Sequence, residues 1–153
     1  GRVILIEPSP YNISVIKAVV KKMGLKNVEL VEKAVWDKSG EMDFIVYGNP
    51  AGHKLENTPG SSTYPMVKTP VDTLDNILSS LGVDRVDLLS CDIEGAEVPM
   101  VKGAERYLNE RRILHVALGS YHAPGIPETV MALLKQKGFK DLCYEEGVVY
   151  GSI

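Results

Sequence analysis

The amino-acid sequence predicts an α/β domain in which helices cover a mostly parallel sheet, with an antiparallel hairpin at the C-terminal end. Strand-like apolar runs alternate with segments of helical periodicity along the 153 residues, which is the pattern of consecutive βαβ units. The runs Val3–Ile6 and Val86–Cys91 are continuous in apolar character over most of their length, as expected of strands that are covered on both faces. The length suits one domain, which we assign to residues 1–153.

The first strand, Val3–Ile6, is followed by a segment with clear helix signals. Ser9 can cap a helix that opens with Pro10, a residue favoured at the first helical position. Gly24 then follows the last turn and ends the helix. The core-facing positions recur at helical spacing and are Ile13, Ile16, Val20 and Met23.

The next part of the chain predicts two strands and a long loop. Residues 28–35, "VELVEKAV", favour one strand, and residues 44–47 favour another. Gly, Pro, Ser, Asn and Thr dominate residues 48–65, which also contain His53. Loops of this length inside a compact domain are usually functional or disordered. We expect this loop to shape a substrate pocket.

A short helix within residues 71–82 leads to the second apolar strand, Val86–Cys91. Asp72 is the expected helix cap. The apolar face of this helix consists of Leu74, Ile77, Leu78 and Leu81. A single helix is then predicted over residues 96–110, and a strand over residues 113–118.

The C-terminal region predicts a helix and a hairpin. The helix starts at Pro127 and ends at Gly138, with Val130, Leu133 and Leu134 towards the core. Two strand-like runs joined by Gly147 then form the antiparallel hairpin.

Composition limits the classes of partner and the compartment. The formal net charge is −3 and 24% of residues are charged, so we expect neither nucleic acid nor an anionic membrane as a partner. Cys91 and Cys143 lack metal-binding spacing and predict reduced thiols in the cytoplasm. No window reaches the roughly 18 apolar residues of a membrane-spanning helix.

Acidic residues follow two of the predicted strands. Asp92 and Glu94, with Gly95 next to them, come directly after Cys91, and Glu7 comes directly after Ile6. Ligands of open parallel sheets bind outside the carboxyl ends of the strands. A carboxylate there can accept hydrogen bonds from both hydroxyls of a ribose. The alternative is that each acid caps a helix or interacts with its dipole.

Four stretches together resemble the FkbM family of S-adenosylmethionine-dependent methyltransferases. They are "VILIEPSP", "KAVWD", "TLDNIL" and "DLLSCDIEGAEVPMVKGA", and the resemblance covers nearly the whole chain. It implies a Rossmann-like class I methyltransferase sandwich, S-adenosylmethionine as the methyl donor, and O-methylation of a hydroxyl, often on a sugar or natural product.

The resemblance also implies which residues contact the donor. Glu7 would hold the ribose, Ala34 and Val35 would border the adenine, and Asp92 would lie near the methionine end. The full set of expected cofactor-binding residues is Glu7, Pro8, Ser9, Ala34, Val35 and Asp92.

Methyl transfer to oxygen needs alignment of the reacting groups and a base for the hydroxyl proton. The two best candidates for the catalytic base are Glu94 and His122, which both follow the end of a predicted strand. His122 could equally be a solvated loop residue. His53 is a weaker candidate, and His115 lies within a strand, where we expect a structural role. No metal ligand set is assigned.

One feature of the family pattern is missing. Class I methyltransferases open with a strand and a glycine-rich turn, and no such turn occurs in this sequence. The chain therefore resembles a domain whose first strand is absent, with a gap between the strands that end at Ile6 and Cys91. Those strands could pair directly, another chain or segment could fill the gap, or the sequence could be a fragment. We expect weak donor binding.

Two alternative functions remain open. A non-catalytic methyltransferase-like domain for binding or assembly is favoured by the missing glycine-rich turn. A metal-dependent nucleotide-sugar glycosyltransferase is suggested by "DIE", an acid-x-acid motif able to hold Mg²⁺ or Mn²⁺. As partners we expect a small-molecule hydroxyl acceptor and, because of the exposed gap in the sheet, a homo-oligomer.

Overall fold

The computed structural model describes residues 1–45, 54–55 and 66–153. Its helices are α1 (Pro10–Met23), α2 (Leu74–Ser80), α3 (Glu97–Lys102), α4 (Glu105–Asn109) and α5 (Ile126–Gln136). Its strands are β1 (Val3–Ile6), β2 (Val28–Val31), β3 (Ala34–Val35), β4 (Gly40–Ile45), β5 (Lys54–Leu55), β6 (Met66–Asp72), β7 (Val86–Cys91), β8 (Ile113–Gly119), β9 (Lys140–Glu145) and β10 (Val148–Ser152). None of the helices in these ranges is long and apolar enough to cross a membrane.

The chain is therefore an α/β protein, as predicted, and its sheets are mixed. Strands β1 and β2 pair in parallel, as do β7 and β8. Antiparallel ladders join β10 to β8 and β9, and β4 to β5 and β6. Contacts divide the chain into two compact units, Gly1–Ala34 with Ser39–Val71 and Val35–Lys38 with Asp72–Ile153.

In the first unit the predicted first strand and helix are confirmed. The hydroxyl of Ser9 caps α1 by accepting from the N–H of Asn12 at 3.5 Å. Gly24 follows the helix in the left-handed conformation, with φ at 63°, which costs glycine little. Of the four predicted core positions of α1, Ile13 is buried, whereas Met23 is 66% exposed.

The prediction of one strand over residues 28–35 is wrong. Val28–Val31 forms the parallel ladder with β1, whereas Ala34–Val35 joins a different sheet beside β6. Strand β6 itself was not predicted, because Lys68 and Pro70 interrupt its apolar pattern. The strand predicted at residues 44–47 begins earlier, at Gly40, and its last two residues lie outside the described ranges.

In the second unit the sheet has the order β7-β8-β10-β9. The predicted C-terminal hairpin is confirmed. Its two-residue turn consists of Glu146 and Gly147, with φ at 49° and 85°, which is the left-handed pair that suits tight hairpins. Helix α5 begins at Ile126, one residue before the predicted Pro127.

The helix predicted over residues 96–110 is divided into α3 and α4. Gly103 lies at the break. A larger residue does not fit there, because a Cβ would be 2.1 Å from the carbonyl oxygen of Trp36. Asp75 then receives the first N–H groups of α4, from Arg106 at 2.8 Å and from Tyr107 at 3.1 Å. The "TLDNIL" and "KGA" stretches thus have a structural role in this unit.

The predicted cap of α2 is also displaced by one residue. Thr73, not Asp72, is the cap, and its hydroxyl accepts from the N–H of Asn76 at 3.1 Å. The carboxylate of Asp72 instead accepts from the N–H of Thr73 at 2.9 Å. Because Asp72 ends β6, its side chain cannot occupy the cap position.

Helices and sheet of the second unit enclose an apolar core that holds β7 and β8 in place. Fully buried members of that core are Leu74, Met100, Tyr107, Leu108, Ile113, Leu118, Val130, Leu134 and Val149. Cys91 at the end of β7 is partly buried, and burial raises the pKa of its thiol well above the usual range.

Strands β1 and β7 belong to different sheets and each forms one ladder among the described residues, with β2 and β8 respectively. Strand β1 belongs to the first unit and β7 to the second, and the three explanations for the missing strand stay predictions. Leu88 on β7 is 59% exposed, as expected for a strand at the edge of its sheet.

Candidate functional site

The carboxyl ends of β7 and β8 bring together five side chains. Because the two strands are parallel and Cys91 pairs with Leu118, the residues that follow them emerge at the same edge of the sheet. Here lie Asp92, Glu94 and Glu97, which follow β7, and Tyr121 and His122, which follow β8. We call these five residues the carboxylate–histidine cluster.

Asp92 is the centre of the cluster. One carboxylate oxygen lies 2.9 Å from Nε2 of His122, and the other accepts a hydrogen bond from the hydroxyl of Tyr121 at 2.9 Å. That hydrogen bond raises the pKa of Tyr121, because it stabilises the protonated phenol beside an acid. The rings of Tyr121 and His122 pack with their centroids 4.1 Å apart.

A tight turn positions Glu94 on the other side of the imidazole. Ile93 accepts a hydrogen bond from the N–H of Ala96 at 3.2 Å, and Glu94 and Gly95 between them have φ values of 54° and 99°. This conformation brings Oε2 of Glu94 to 3.3 Å from Nδ1 of His122. The glycine after the two acids is thus required by the turn.

Glu97, in the first turn of α3, lies beneath that turn, and its side chain is 0% exposed. Its Oε1 accepts from the N–H groups of Ile93 and Gly95, both at 3.3 Å, and lies 3.3 Å from Nε2 of His122. Its Oε2 is buried and has no hydrogen-bond partner among the residues that the structure describes. Burial raises the pKa of Glu97, against the opposing effects of these N–H groups and His122.

Glu97 and Tyr121 were not predicted as site residues from the sequence. A signal for Glu97 was present in "DIEGAE", since an acid in the first helical turn can reach back to preceding N–H groups. Tyr121 precedes His122, but nothing in its sequence position predicts the hydrogen bond to Asp92.

The cluster carries excess negative charge. Across the residues that the structure describes, no lysine or arginine forms an ion pair with any of its three carboxylates. His122, whose side chain is 8% exposed, has a carboxylate beside each ring nitrogen. Even a protonated imidazole would offset only one of the three acids.

The absence of a side chain at Gly119 leaves room for the carboxylate of Asp92. A Cβ on Gly119 would lie 3.1 Å from Oδ1 and 3.2 Å from Cγ of Asp92. Such distances are shorter than an ordinary van der Waals contact of carbon. Glycine at the end of β8 therefore leaves the space that the carboxylate occupies.

In the first unit, Glu7 ends β1 as predicted. Its Oε1 accepts from the N–H of Ser9 at 2.8 Å, and its other oxygen has no protein partner within the described ranges. The hydroxyl of Ser9 caps α1 and its side chain is buried, so its role here is structural. Pro8 lines an open groove of about 430 Å³ together with Ser14 and Lys17.

The remaining predicted residues are divided between the two units. Ala34 in the first unit is buried, and Val35 in the second is partly buried. His115 lies within β8, consistent with a structural role, and is exposed. His53 and most of the loop at residues 48–65 lie outside the described residues. The structure thus brings Asp92, Glu94 and His122 together, and the roles of all predicted site residues stay predictions.

Comparisons with known proteins agree on one family. A family model described as a methyltransferase FkbM domain matches residues 1–140. A curated relative, methyltransferase sdnD of Sordaria araneosa, is 38% identical over 58 residues, which is 38% of this chain and 22% of that protein.

The fold has a counterpart among solved structures. The crystal structure of methyltransferase FkbM from Methylobacillus flagellatus KT aligns over 98% of this chain with a TM-score of 0.69 and 17% sequence identity. The aligned region covers 36% of that protein. The chain therefore spans about a third of the length of the solved structure that it resembles.

Proposed function

The chain belongs to the FkbM methyltransferase domain family, and on that premise we propose that it acts in S-adenosylmethionine-dependent methyl transfer to a hydroxyl of a sugar or small natural product. The observation that carries the proposal is the carboxylate–histidine cluster, which places uncompensated acids and an imidazole at the carboxyl ends of two parallel strands.

The residues of the chain fit this donor. S-adenosylmethionine carries a sulfonium and an ammonium group, and the excess negative charge of the cluster favours a cationic ligand. Asp92 is 56% exposed and would interact with the methionine part. In the first unit, the oxygen of Glu7 that has no partner within the described ranges would accept a hydrogen bond from a ribose hydroxyl. When bound, the donor supplies an electrophilic methyl group.

The chain itself must remove the proton from the acceptor hydroxyl. Glu94 is partly exposed and lies 3.3 Å from Nδ1 of His122, so an acceptor hydroxyl that reaches this pair could give its proton to either group. Asp92 orients the imidazole from the opposite side through Nε2. We therefore propose Glu94 and His122 as the base and Asp92 as the group that positions His122.

The family match affects the two alternative functions, glycosyltransferase and non-catalytic domain, in different ways. It disfavours the glycosyltransferase, which rested on "DIE" alone. A non-catalytic domain remains an alternative, because no glycine-rich turn occurs in the sequence. We also propose a small-molecule acceptor, a homo-oligomer and a cytoplasmic location. Further proposals are that nucleic acid and membranes are not partners and that residues 48–65 shape the acceptor pocket.

Calorimetry tests the proposal. S-adenosylmethionine and S-adenosylhomocysteine are titrated into the wild-type chain and into the variants Glu7→Ala and Asp92→Asn. A hydrogen bond to a charged group contributes about 1.5–3 kcal/mol, so we expect weak, saturable binding that each variant reduces about tenfold or more. Asp87→Asn is the matched control, because Asp87 lies on the same strand, is exposed and pairs with Arg85.

The control variant should bind like the wild type. Affinities of Glu7→Ala and Asp92→Asn equal to the wild type would contradict the proposed donor site. If neither ligand binds the wild-type chain, the non-catalytic alternative is favoured instead. Tight one-to-one binding would contradict our expectation that these residues alone hold the donor weakly.

A further inference from the structure

We propose that Asp92, Glu94 and His122 form a binding site for one divalent cation of the Mn²⁺ or Zn²⁺ type. Cation binding does not depend on the methyl donor. The role of the cation in catalysis, in contrast, rests on the proposed function.

The ligand set and its spacing support the site. Asp92, Glu94 and His122 each offer one ligand atom, and these atoms lie within 4.8 Å of one another. In octahedral coordination with bonds of about 2.1 Å, neighbouring ligands are about 3 Å apart and opposite ligands about 4.2 Å apart. Nε2 of His122 and Oδ1 of Asp92, 2.9 Å apart, already match a neighbouring pair.

The chemistry of these ligands selects the type of cation. Imidazole suits Zn²⁺ and related transition metals, and carboxylates also suit Mn²⁺. Two carboxylates with one histidine are less suited to Mg²⁺ or Ca²⁺, which prefer oxygen ligands throughout. Glu94 is partly exposed on a turn, so its side chain can rotate to complete the coordination.

A second observation comes from Glu97, which is not one of the three ligands. Its side chain is 0% exposed, and its Oε1 lies 3.3 Å from Nε2 of His122. Its Oε2 has no hydrogen-bond partner in the described part of the chain. An unpaired buried carboxylate oxygen is costly. Within the described ranges no lysine or arginine pairs with it. A cation bound by the neighbouring ligands would supply the positive charge that this carboxylate lacks.

The position of Glu97 relative to the imidazole differs from that of the usual carboxylate partner of a metal-binding histidine. Such histidines usually have a carboxylate or carbonyl next to the ring that fixes its orientation. Glu97 is held by two backbone N–H groups and lies beside Nε2, the nitrogen that also faces Asp92. With the cation on Nε2, Glu97 would therefore add negative charge next to the ligands and would not orient the ring through its other nitrogen. In the proposed reaction, the open coordination positions would bind the acceptor hydroxyl oxygen and lower its pKa.

Electron paramagnetic resonance with Mn²⁺ alone tests the site on the full chain, because the signals of free and bound Mn²⁺ differ. We expect one saturable site in the wild type, and displacement of Mn²⁺ by Zn²⁺. Asp92→Asn and His122→Gln should each weaken binding at least tenfold, and Glu97→Gln should weaken it by a smaller factor, because it removes one negative charge beside the ligands. Asp87→Asn, on the same strand and away from the cluster, should bind like the wild type.

The absence of saturable Mn²⁺ binding, or equal affinity in the wild type and in Asp92→Asn, would overturn the proposal. Thermal unfolding of every variant identifies any loss of fold, and His122→Gln provides a ligand deletion that preserves all three acids. Donor calorimetry in a chelator separates the two proposals. Donor binding without Mn²⁺ binding contradicts only the cation site, and Mn²⁺ binding without donor binding contradicts only the donor site.

Discussion

Substitution of Gly119 by alanine should impair the site with little effect on stability. The added methyl group would lie 3.1 Å from Oδ1, 3.2 Å from Cγ and 3.4 Å from Cα of Asp92. To regain ordinary contact distances the carboxylate must move by a few tenths of an ångström. That movement acts on the hydrogen bonds of Asp92 with His122 and Tyr121, both now 2.9 Å long.

The change in stability follows from two opposing terms. Overpacking costs about 1–3 kcal/mol in a rigid core, but Asp92 is 56% exposed and can shift, so the lower end applies. Alanine is more favourable than glycine within a strand by about 0.5–1 kcal/mol. The free energy of unfolding should therefore change by less than about 1 kcal/mol. Distortion of the charged hydrogen bonds of Asp92 should reduce ligand affinity about tenfold.

Urea unfolding and calorimetric titration of the donor measure the two quantities on the same samples. The double variant Gly119→Ala/Asp92→Ala tests whether the loss of donor affinity acts through the Asp92 carboxylate. In an Asp92→Ala background the carboxylate is gone, so Gly119→Ala should no longer change donor affinity. Unchanged affinity in the single variant, or the same loss with and without the Asp92 carboxylate, would refute the reasoning.

Three further predictions concern Glu97, Gly103 and the cysteines. Burial raises the pKa of Glu97, so the folded protein keeps this proton at pH values where the unfolded chain has lost it. In a chelator, the free energy of unfolding of the wild type should therefore fall relative to that of Glu97→Gln as the pH rises above the unfolded-state pKa of about 4.3, by at most about 1.4 kcal/mol per pH unit. Parallel profiles from urea unfolding would exclude this. Gly103→Ala should lower the free energy of unfolding in urea by about 2 kcal/mol or more, since its Cβ would be 2.1 Å from the Trp36 carbonyl oxygen. A variant as stable as the wild type would contradict this close contact. The thiol of Cys143 is exposed, whereas burial raises the pKa of Cys91, so a disulfide reagent should modify Cys143 first; equal rates would argue otherwise.

Local signals in the sequence predicted much of the fold. The cap at Ser9, the left-handed Gly24 and the turn at Gly147 each act within a few residues, so their structures follow from residue type. The division of residues 28–35 could not be predicted in this way. Its two halves pair with different strands, and the choice of partner depends on contacts distant in sequence.

The site was predictable in part for the same reason. Asp92, Glu94 and His122 follow strands, and the topology of parallel strands predicts that such residues lie at one edge. The hydrogen bonds of Asp92 and the burial of Glu97 depend on how the turn at Glu94 folds over α3. The acid in "DIEGAE" indicates hydrogen bonds of Glu97 to preceding N–H groups. No sequence pattern specifies its complete burial or the hydrogen bond of Tyr121 to Asp92.

The central claim is that the donor binds beside His122 at the ends of β7 and β8. Nuclear magnetic resonance of the imidazole nitrogens and their coupled protons tests it most directly, with His115 in β8 as the internal control. Addition of S-adenosylmethionine should shift the ring signals of His122 and leave those of His115 unchanged. Unchanged signals of His122 at saturating donor, or equal shifts of both histidines, would contradict the account.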